Sequence, residues 1–338
     1  MNGLYMKTNK TSRMIKALGL CSGGLDSILS ALLLKKQGIE VTWVCFETPF
    51  FSSDSAQKAA DQTQIPLIRM DITDDYMEMM KQPKAGFGKN MNPCMDCHTL
   101  MFKKAGEQME KQGFDFLFSG EVLGQRPKSQ NKNSLRYVEK NSGFEGLILR
   151  PLCAKCLPET LIEQKGLVDR EQLMNINGRS RKVQMQLAQE YGIKEYPSPA
   201  GGCLLTDPIF SHRLKDLMYT QKTWDTSQLH LLKYGRHFRL DSATKVIVGR
   251  SEQDNAFLVS SMDKTRHVLL HHAGIAGPDV ILTGDSTTQN LQKAAMLCAA
   301  YTKSGPGEKA AVKITQNTVE HIIEVETLKA AEFKNLMI

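Results

Sequence analysis

Ile15-Lys16-Ala17-Leu18-Gly19-Leu20-Cys21-Ser22-Gly23-Gly24-Leu25-Asp26-Ser27 is an apolar run that breaks at two glycines and resumes as an apolar stretch over residues 28–36. The pattern predicts a strand, a glycine turn and a helix. Glycines at such a turn let backbone N–H groups approach an anion with no Cβ in the way. The serines add hydroxyl donors, and the helix N-terminus adds partial positive charge. A phosphate or pyrophosphate is the expected ligand. The loop lacks the Lys-Ser/Thr ending of a Walker A motif, which disfavours a standard P-loop nucleotidase. The plain alternative is a Gly-rich turn capped by Asp26 or Ser27.

Composition bounds the partners. A chain of 338 residues suits two domains, each with its own core. No apolar run approaches the ~20 residues needed to span a bilayer, so no membrane partner is expected. Residues 1–13 are polar with no leader pattern, and the expected location is cytoplasmic. In that compartment the eight cysteines read as metal-binding or catalytic groups before they read as disulfides. The net charge of +7 falls mainly in the first 205 residues and permits an RNA partner.

The first half alternates strand and helix in the manner of a doubly wound α/β parallel sheet. Strands are expected at residues 40–46, 66–71 and 115–118, and helices at 55–63 and 98–112. In such a sheet the carboxyl edge of the strands binds ligand beside a topological switch point. Residues 22–27, Glu47, Thr48 and the segment 119–126 would lie there. Ser22-Gly23-Gly24-Leu25-Asp26-Ser27 resembles the PP-loop of the ATP pyrophosphatases, the adenylating family that includes tRNA thiolases, asparagine synthetase and GMP synthetase. The resemblance implies that Ser22, Gly23, Gly24, Leu25, Asp26 and Ser27 cradle the pyrophosphate end of ATP, with Mg²⁺ bridging its oxygens. It also puts Gly120 and Arg126 in the glycine-containing stretch beside the nucleotide. A solvated loop charge is the plain reading of Arg126 and Lys128.

Asn92-Pro93-Cys94-Met95-Asp96-Cys97 resembles the Asn-Pro-x-x-x-Cys segment of bacterial tRNA 2-thiouridylases, and Ser198-Pro199-Ala200-Gly201-Gly202-Cys203 fits the place of their second cysteine. Cys94 is an addition to that pattern. Three thiolates, Cys94, Cys97 and Cys203, can hold a [4Fe–4S] cluster with one iron open to sulfide. That pattern resembles the cluster-dependent tRNA thiolases. With His98 the set could instead hold zinc. Without metal, Cys97 and Cys203 could act as persulfide carrier and resolving thiol. Cys153 and Cys156 form a second Cys-x-x-Cys, read as accessory thiols. Cys21, Cys45 and Cys298 sit in apolar runs and read as buried small hydrophobes.

Arg179, Arg181 and Lys182 precede a helix over residues 182–191, where a phosphate of tRNA or ATP could bind; a solvent-facing basic turn is the alternative. A catalytic domain is expected over residues 1–205, a connecting helix within 206–225 and a second domain over 226–338. Beyond residue 233 short strands alternate with turns. Val248-Gly249-Arg250, Asn255 and His271 in that order resemble the RNA-binding module of ribosome-associated quality-control factors, known as NFACT-R, which implies docking of RNA.

Together these resemblances imply an ATP-dependent tRNA uridine sulfurtransferase. Asp26, Cys97 and Cys203 would be its catalytic residues, and 4-thiouridine the favoured product. Sulfur would come as sulfide or from a separate donor such as a cysteine desulfurase. The alternatives are a persulfide-using 2-thiouridine synthase, a PP-loop ligase acting on a small molecule, and a non-catalytic RNA-binding factor with a structural metal.

Overall fold

The computed structural model describes residues 13–198, 203–221 and 224–338. The chain divides into two compact units, residues 1–88 with 93–201, and 89–92 with 202–338.

In the first unit the apolar runs become five parallel strands: β1 (Lys16–Leu20), β2 (Glu40–Glu47), β3 (Leu67–Asp71), β4 (Phe116–Ser119) and β5 (Ile148–Leu149). Their order is β3-β2-β1-β4-β5. The sheet grows outward from β1 in one direction and then from β4 in the other, which makes the β1/β4 boundary the switch point. Its helices are α1 (Leu25–Lys36), α2 (Asp54–Thr63), α3 (Thr73–Lys81), α4 (Cys94–Gln112), α5 (Lys132–Ser142), α6 (Leu161–Gln164) and α7 (Lys182–Glu190). The central strands β1, β2 and β4 are apolar along most of their length because helices cover both faces. One core cluster gathers Ala17, Trp43, Phe116 and Phe118 with Ile28 and Leu34 of α1. A second joins Leu25 and Leu29 to Val122, Leu187 and Ala188, and seats α7 against α1.

In the second unit come α8 (Pro208–Thr220), α9 (Thr226–Leu231), β6 (Arg236–Arg239), β7 (Lys245–Val248), α10 (Glu252–Ser261), β8 (Val268–His272), β9 (Val280–Thr283), α11 (Thr288–Ala300), β10 (Lys309–Gln316) and β11 (Val319–Glu326). The six strands pair antiparallel in the order β11-β10-β8-β9-β7-β6. Alternate residues such as Phe238, Val246, Leu270 and Val312 pack with the small-residue face of α11, Ala294, Ala295 and Cys298. The long β10–β11 hairpin is absent from the sequence reading, although Ala310, Val312 and Ile314 of β10 alternate into the core and Ile323 and Val325 of the edge strand β11 join them.

Two helices begin earlier than the sequence patterns indicate. Helix α1 starts at Leu25, inside the glycine motif, and α4 starts at Cys94. Both first turns are polar or mixed, so hydrophobic periodicity does not register them. Among the described residues no helix is long and apolar enough to cross a membrane.

Candidate active site

The glycine loop leaves the carboxyl end of β1 at the switch point. Gly23 has a φ of +72°, and a Cβ there would meet the backbone of Ser55 at 2.2 Å and of Ala56 at 2.6 Å. It is the glycine that lets the loop pack on α2. Gly24 is different: its φ is −78°, and a Cβ would meet only Ser22 Oγ, at 3.4 Å. The space above Gly24 is open. Gly24 is also the N-cap of α1 and supplies no side-chain acceptor, so the first-turn N–H groups face that space with the helix dipole behind them. Ser27 Oγ donates to Gly24 O at 2.7 Å and fixes the turn.

The segment after β4 closes the other side. Gly120 packs directly on the loop; a Cβ there would lie 2.5 Å from Asp26 C and Ser27 N. Gln125 Nε2 donates to Asp26 Oδ2 at 2.7 Å. Arg126, the neighbouring residue singled out from the sequence, lies exposed on a turn whose carbonyl accepts from Gln130 N at 2.8 Å. Gly178 N donates to Leu123 O at 2.8 Å, which brings the basic turn 177–182 beside the same segment.

Several buried polar atoms without partners lie on this loop and on the segments that pack beside it. They are Asp26 Oδ1, Gln125 Oε1, Arg181 Nε and both side-chain polar atoms of Gln184. Gln184 is fully buried, one helical turn before Ala188 on the α7 face that meets α1. Unmet buried groups are rare in folded proteins, and their concentration marks a place built around a polar ligand.

Helix α4 sets the thiols. Cys94 and Cys97, three residues apart, share one face of its first turn. The buried Asp96 accepts from Ala85 N at 2.8 Å and from the Tyr137 hydroxyl at 3.2 Å, pinning the turn from behind. His98 Nδ1 lies 2.9 Å from Glu121 Oε1. Glu121, 7% exposed, also accepts from Arg150 Nε at 3.0 Å. Burial pushes its carboxyl pKa up, but the Arg150 guanidinium and His98 outweigh that and hold it down at about 2.

Cys203 belongs to the second unit, where it precedes a short 3₁₀ turn, Leu204–Thr206. The four residues before it, 199–202, lie outside the described residues. Among the described residues no three His, Cys, Asp or Glu side chains converge as a metal-ion ligand set. The other Cys-x-x-Cys behaves differently from a ligand pair. Cys153 Sγ donates to Glu121 O at 3.4 Å and Cys156 Sγ to Asn175 O at 3.2 Å. Burial pushes the Cys153 thiol up to about 11. Cys21, Cys45 and Cys298 are buried in the cores.

A family model for thiamine biosynthesis protein (ThiI) matches residues 13–157. Residues 13–157 form a PP-loop domain of the ThiI family. Residues 235–337 match the NFACT protein RNA binding domain, so the second unit carries an RNA-binding domain of that type. A probable tRNA sulfurtransferase from a Thermoanaerobacter species is 32% identical to this chain over 161 residues, which is 45% of this chain and 39% of the relative. A tRNA-specific 2-thiouridylase from Lactobacillus delbrueckii is 29% identical over 181 residues, 44% of this chain and 47% of the relative. The chain thus spans under half the length of these curated relatives. A solved 4-thiouridine synthetase–RNA complex with bound ATP aligns with a TM-score of 0.33 at 20% identity over 52% of this chain and 50% of that one.

Glu121 and Gln125 lie in the segment 119–126 that the sequence places at the strand edge, but their partners were not foreseen, and Gln184 and Arg150 were missed as site residues. Each gains its place from a contact far along the chain, and no local motif marks it.

Proposed function

We propose that this chain is an ATP-dependent tRNA uridine sulfurtransferase, with 4-thiouridine as its product. The observation that carries the reading is the open, uncapped glycine cradle at the switch point, ringed by unpartnered buried polar atoms. The first-turn N–H groups and Ser22 would bind the pyrophosphate end of ATP, and Asp26, with one oxygen unpartnered, would face its Mg²⁺. That Mg²⁺ supplies charge neutralisation for the departing pyrophosphate.

In the reaction, the uridine carbonyl oxygen attacks the α-phosphorus. The α–β phosphoanhydride bond breaks, pyrophosphate leaves and the base is adenylated. Sulfide then adds at the activated carbon, the C–O bond breaks and AMP departs. Cys94, Cys97 and Cys203 are the sulfur-handling residues of this reading. Their soft thiolates match a [4Fe–4S] cluster in donor chemistry, and such a cluster would supply an iron that binds sulfide. The pinned first turn of α4 supports this role for the Cys94–Cys97 pair.

Likeness to 2-thiouridylases supports a second reading, sulfur transfer to C2 through a cysteine persulfide. Pyrophosphate release tests the shared step. Release that requires both tRNA and ATP is expected; release with ATP and a small-molecule acceptor alone would replace tRNA with a metabolite as substrate.

A further inference from the structure

One end of the second unit's sheet gathers positive charge that nearby carboxylates offset only in part. In the β6–β7 register Arg239 stands opposite Lys245 and His237 opposite Ile247, while Phe238 and Val246 alternate into the core. Lys245 is 2% exposed and His237 is fully buried. Helix α8 meets this strand end: Asp216 accepts from Arg239 Nε at 3.1 Å, and Thr220 Oγ1 lies 3.1 Å from Arg239 Nη2. From the same helix Arg213 donates to Leu232 O at 3.0 Å and Gly235 O at 2.8 Å.

Asp216 pairs with Arg239 and also acts on Lys245, while Asp207 and Asp254 act on Arg213. Arg213 Nε, Arg239 Nη1 and His237 Nδ1 remain buried without partners. Burial pushes the Lys245 ammonium down to about 7, with Arg239 and Arg213 adding to the drop and Asp216 opposing it. A cavity of about 460 Å³ lies over Arg239 and Asp216, walled by His212, Lys215 and Tyr219 of α8 and by residues 335–338. His212, Lys215 and Tyr219 form one exposed stripe, and the Lys215 ammonium sits 5.9 Å from the Tyr219 ring centroid.

The unpartnered guanidinium N–H groups of Arg213 and Arg239 are costly to bury unless an acceptor completes them. An exposed tyrosine at the rim of such a cavity offers a stacking face for an unpaired base. We propose that the cavity between α8 and β6 is where this unit grips RNA: His212, Lys215 and Arg239 hold a backbone phosphate, and a neighbouring unpaired base stacks on Tyr219. Helix α8, which supplies His212, Lys215 and Tyr219, precedes residue 235, where the RNA-binding family match begins; Arg239 and residues 335–337 fall inside that match, which assigns no binding residue. The choice of tRNA as the RNA rests on the function proposed above; the site itself does not.

The test is equilibrium binding of a labelled tRNA transcript to the full chain across a salt series, for the wild type, Lys215→Glu and Tyr219→Ala. Both side chains are exposed, so the fold is expected to persist, as thermal melts would verify. Lys215→Glu should weaken binding about tenfold or more and lower the slope of log K against log salt by about one. Tyr219→Ala should weaken it about tenfold at unchanged slope. A single-stranded oligonucleotide should compete better than a blunt RNA duplex. Wild-type affinity and slope in both variants would overturn the site, and equal competition by the duplex would overturn base stacking. Thiolation assayed on the same samples separates the two proposals. Binding lost in the variants of a chain that never thiolates tRNA keeps the site and removes the function; thiolation by a chain indifferent to both substitutions does the reverse.

Discussion

Gly23 and Gly24 are adjacent in sequence and opposite in consequence. Gly23 is held by the backbone of α2 in the left-handed region, so Gly23→Ala should lower the melting temperature and cost more than about 1 kcal/mol. Gly24 has an ordinary φ and open space, so Gly24→Val should fold with near-wild-type stability and lose ATP binding. Calorimetric melts and ATP titration of the two variants check this, and undiminished ATP affinity in Gly24→Val would remove the loop from the nucleotide site. The motif itself was legible because its whole signal lies in six consecutive residues. Gln125 was not, because the bond that gives it a role runs to Asp26, 99 positions away. Arg126 drew the reading by its charge, yet the side chain that reaches the loop is its neutral neighbour.

At the scale of elements, α4 and the strand ends are joined by the buried chain His98–Glu121–Arg150. Arg150 is 3% exposed, and besides Glu121 it has Glu139 at 3.6 Å. Removing Glu121's charge leaves the buried Arg150 with only the longer contact to Glu139, so Glu121→Gln should destabilise the first unit by about 2–3 kcal/mol in chemical denaturation. The pH dependence follows in sign. The Glu121 pKa is depressed to about 2 in the folded chain, below an unfolded value of about 4.3. Its contribution is therefore fully present above that unfolded value and is lost as pH falls toward 2. Between pH 7 and pH 3 the wild type should lose more stability than Glu121→Gln; equal losses would mean that this carboxylate is not held by its partners. The parallel strands were legible as apolar runs. The two-residue strand β5 and the first turn of α4 were not, since neither contains a full hydrophobic period.

At the scale of the whole molecule, the chain joins a ThiI-family PP-loop domain to an RNA-binding domain, with candidate thiols in each unit. The PP-loop domain was legible from six consecutive residues, the RNA-binding domain from the order of scattered ones, Val248-Gly249-Arg250, Asn255 and His271. The grouping of Cys203 with Cys94 and Cys97 rests on the resemblance of their two segments to those of tRNA thiolases. Anaerobically prepared protein should contain iron, and Cys94→Ala, Cys97→Ala and Cys203→Ala should each lose it. Cys153→Ala and Cys156→Ala should keep it, because both thiols are engaged as donors to carbonyl oxygens of the chain. Iron retained by all of the first three, or lost from either of the last two, would reassign the ligands. The sulfur-transfer reaction has a more direct test. Unmodified tRNA incubated with the full chain, ATP, Mg²⁺ and sulfide is digested to nucleosides and measured by mass spectrometry. Appearance of 4-thiouridine that depends on ATP and disappears in Gly24→Val is expected, whereas tRNA that stays free of thiolated uridine with iron-replete, ATP-binding protein would contradict it.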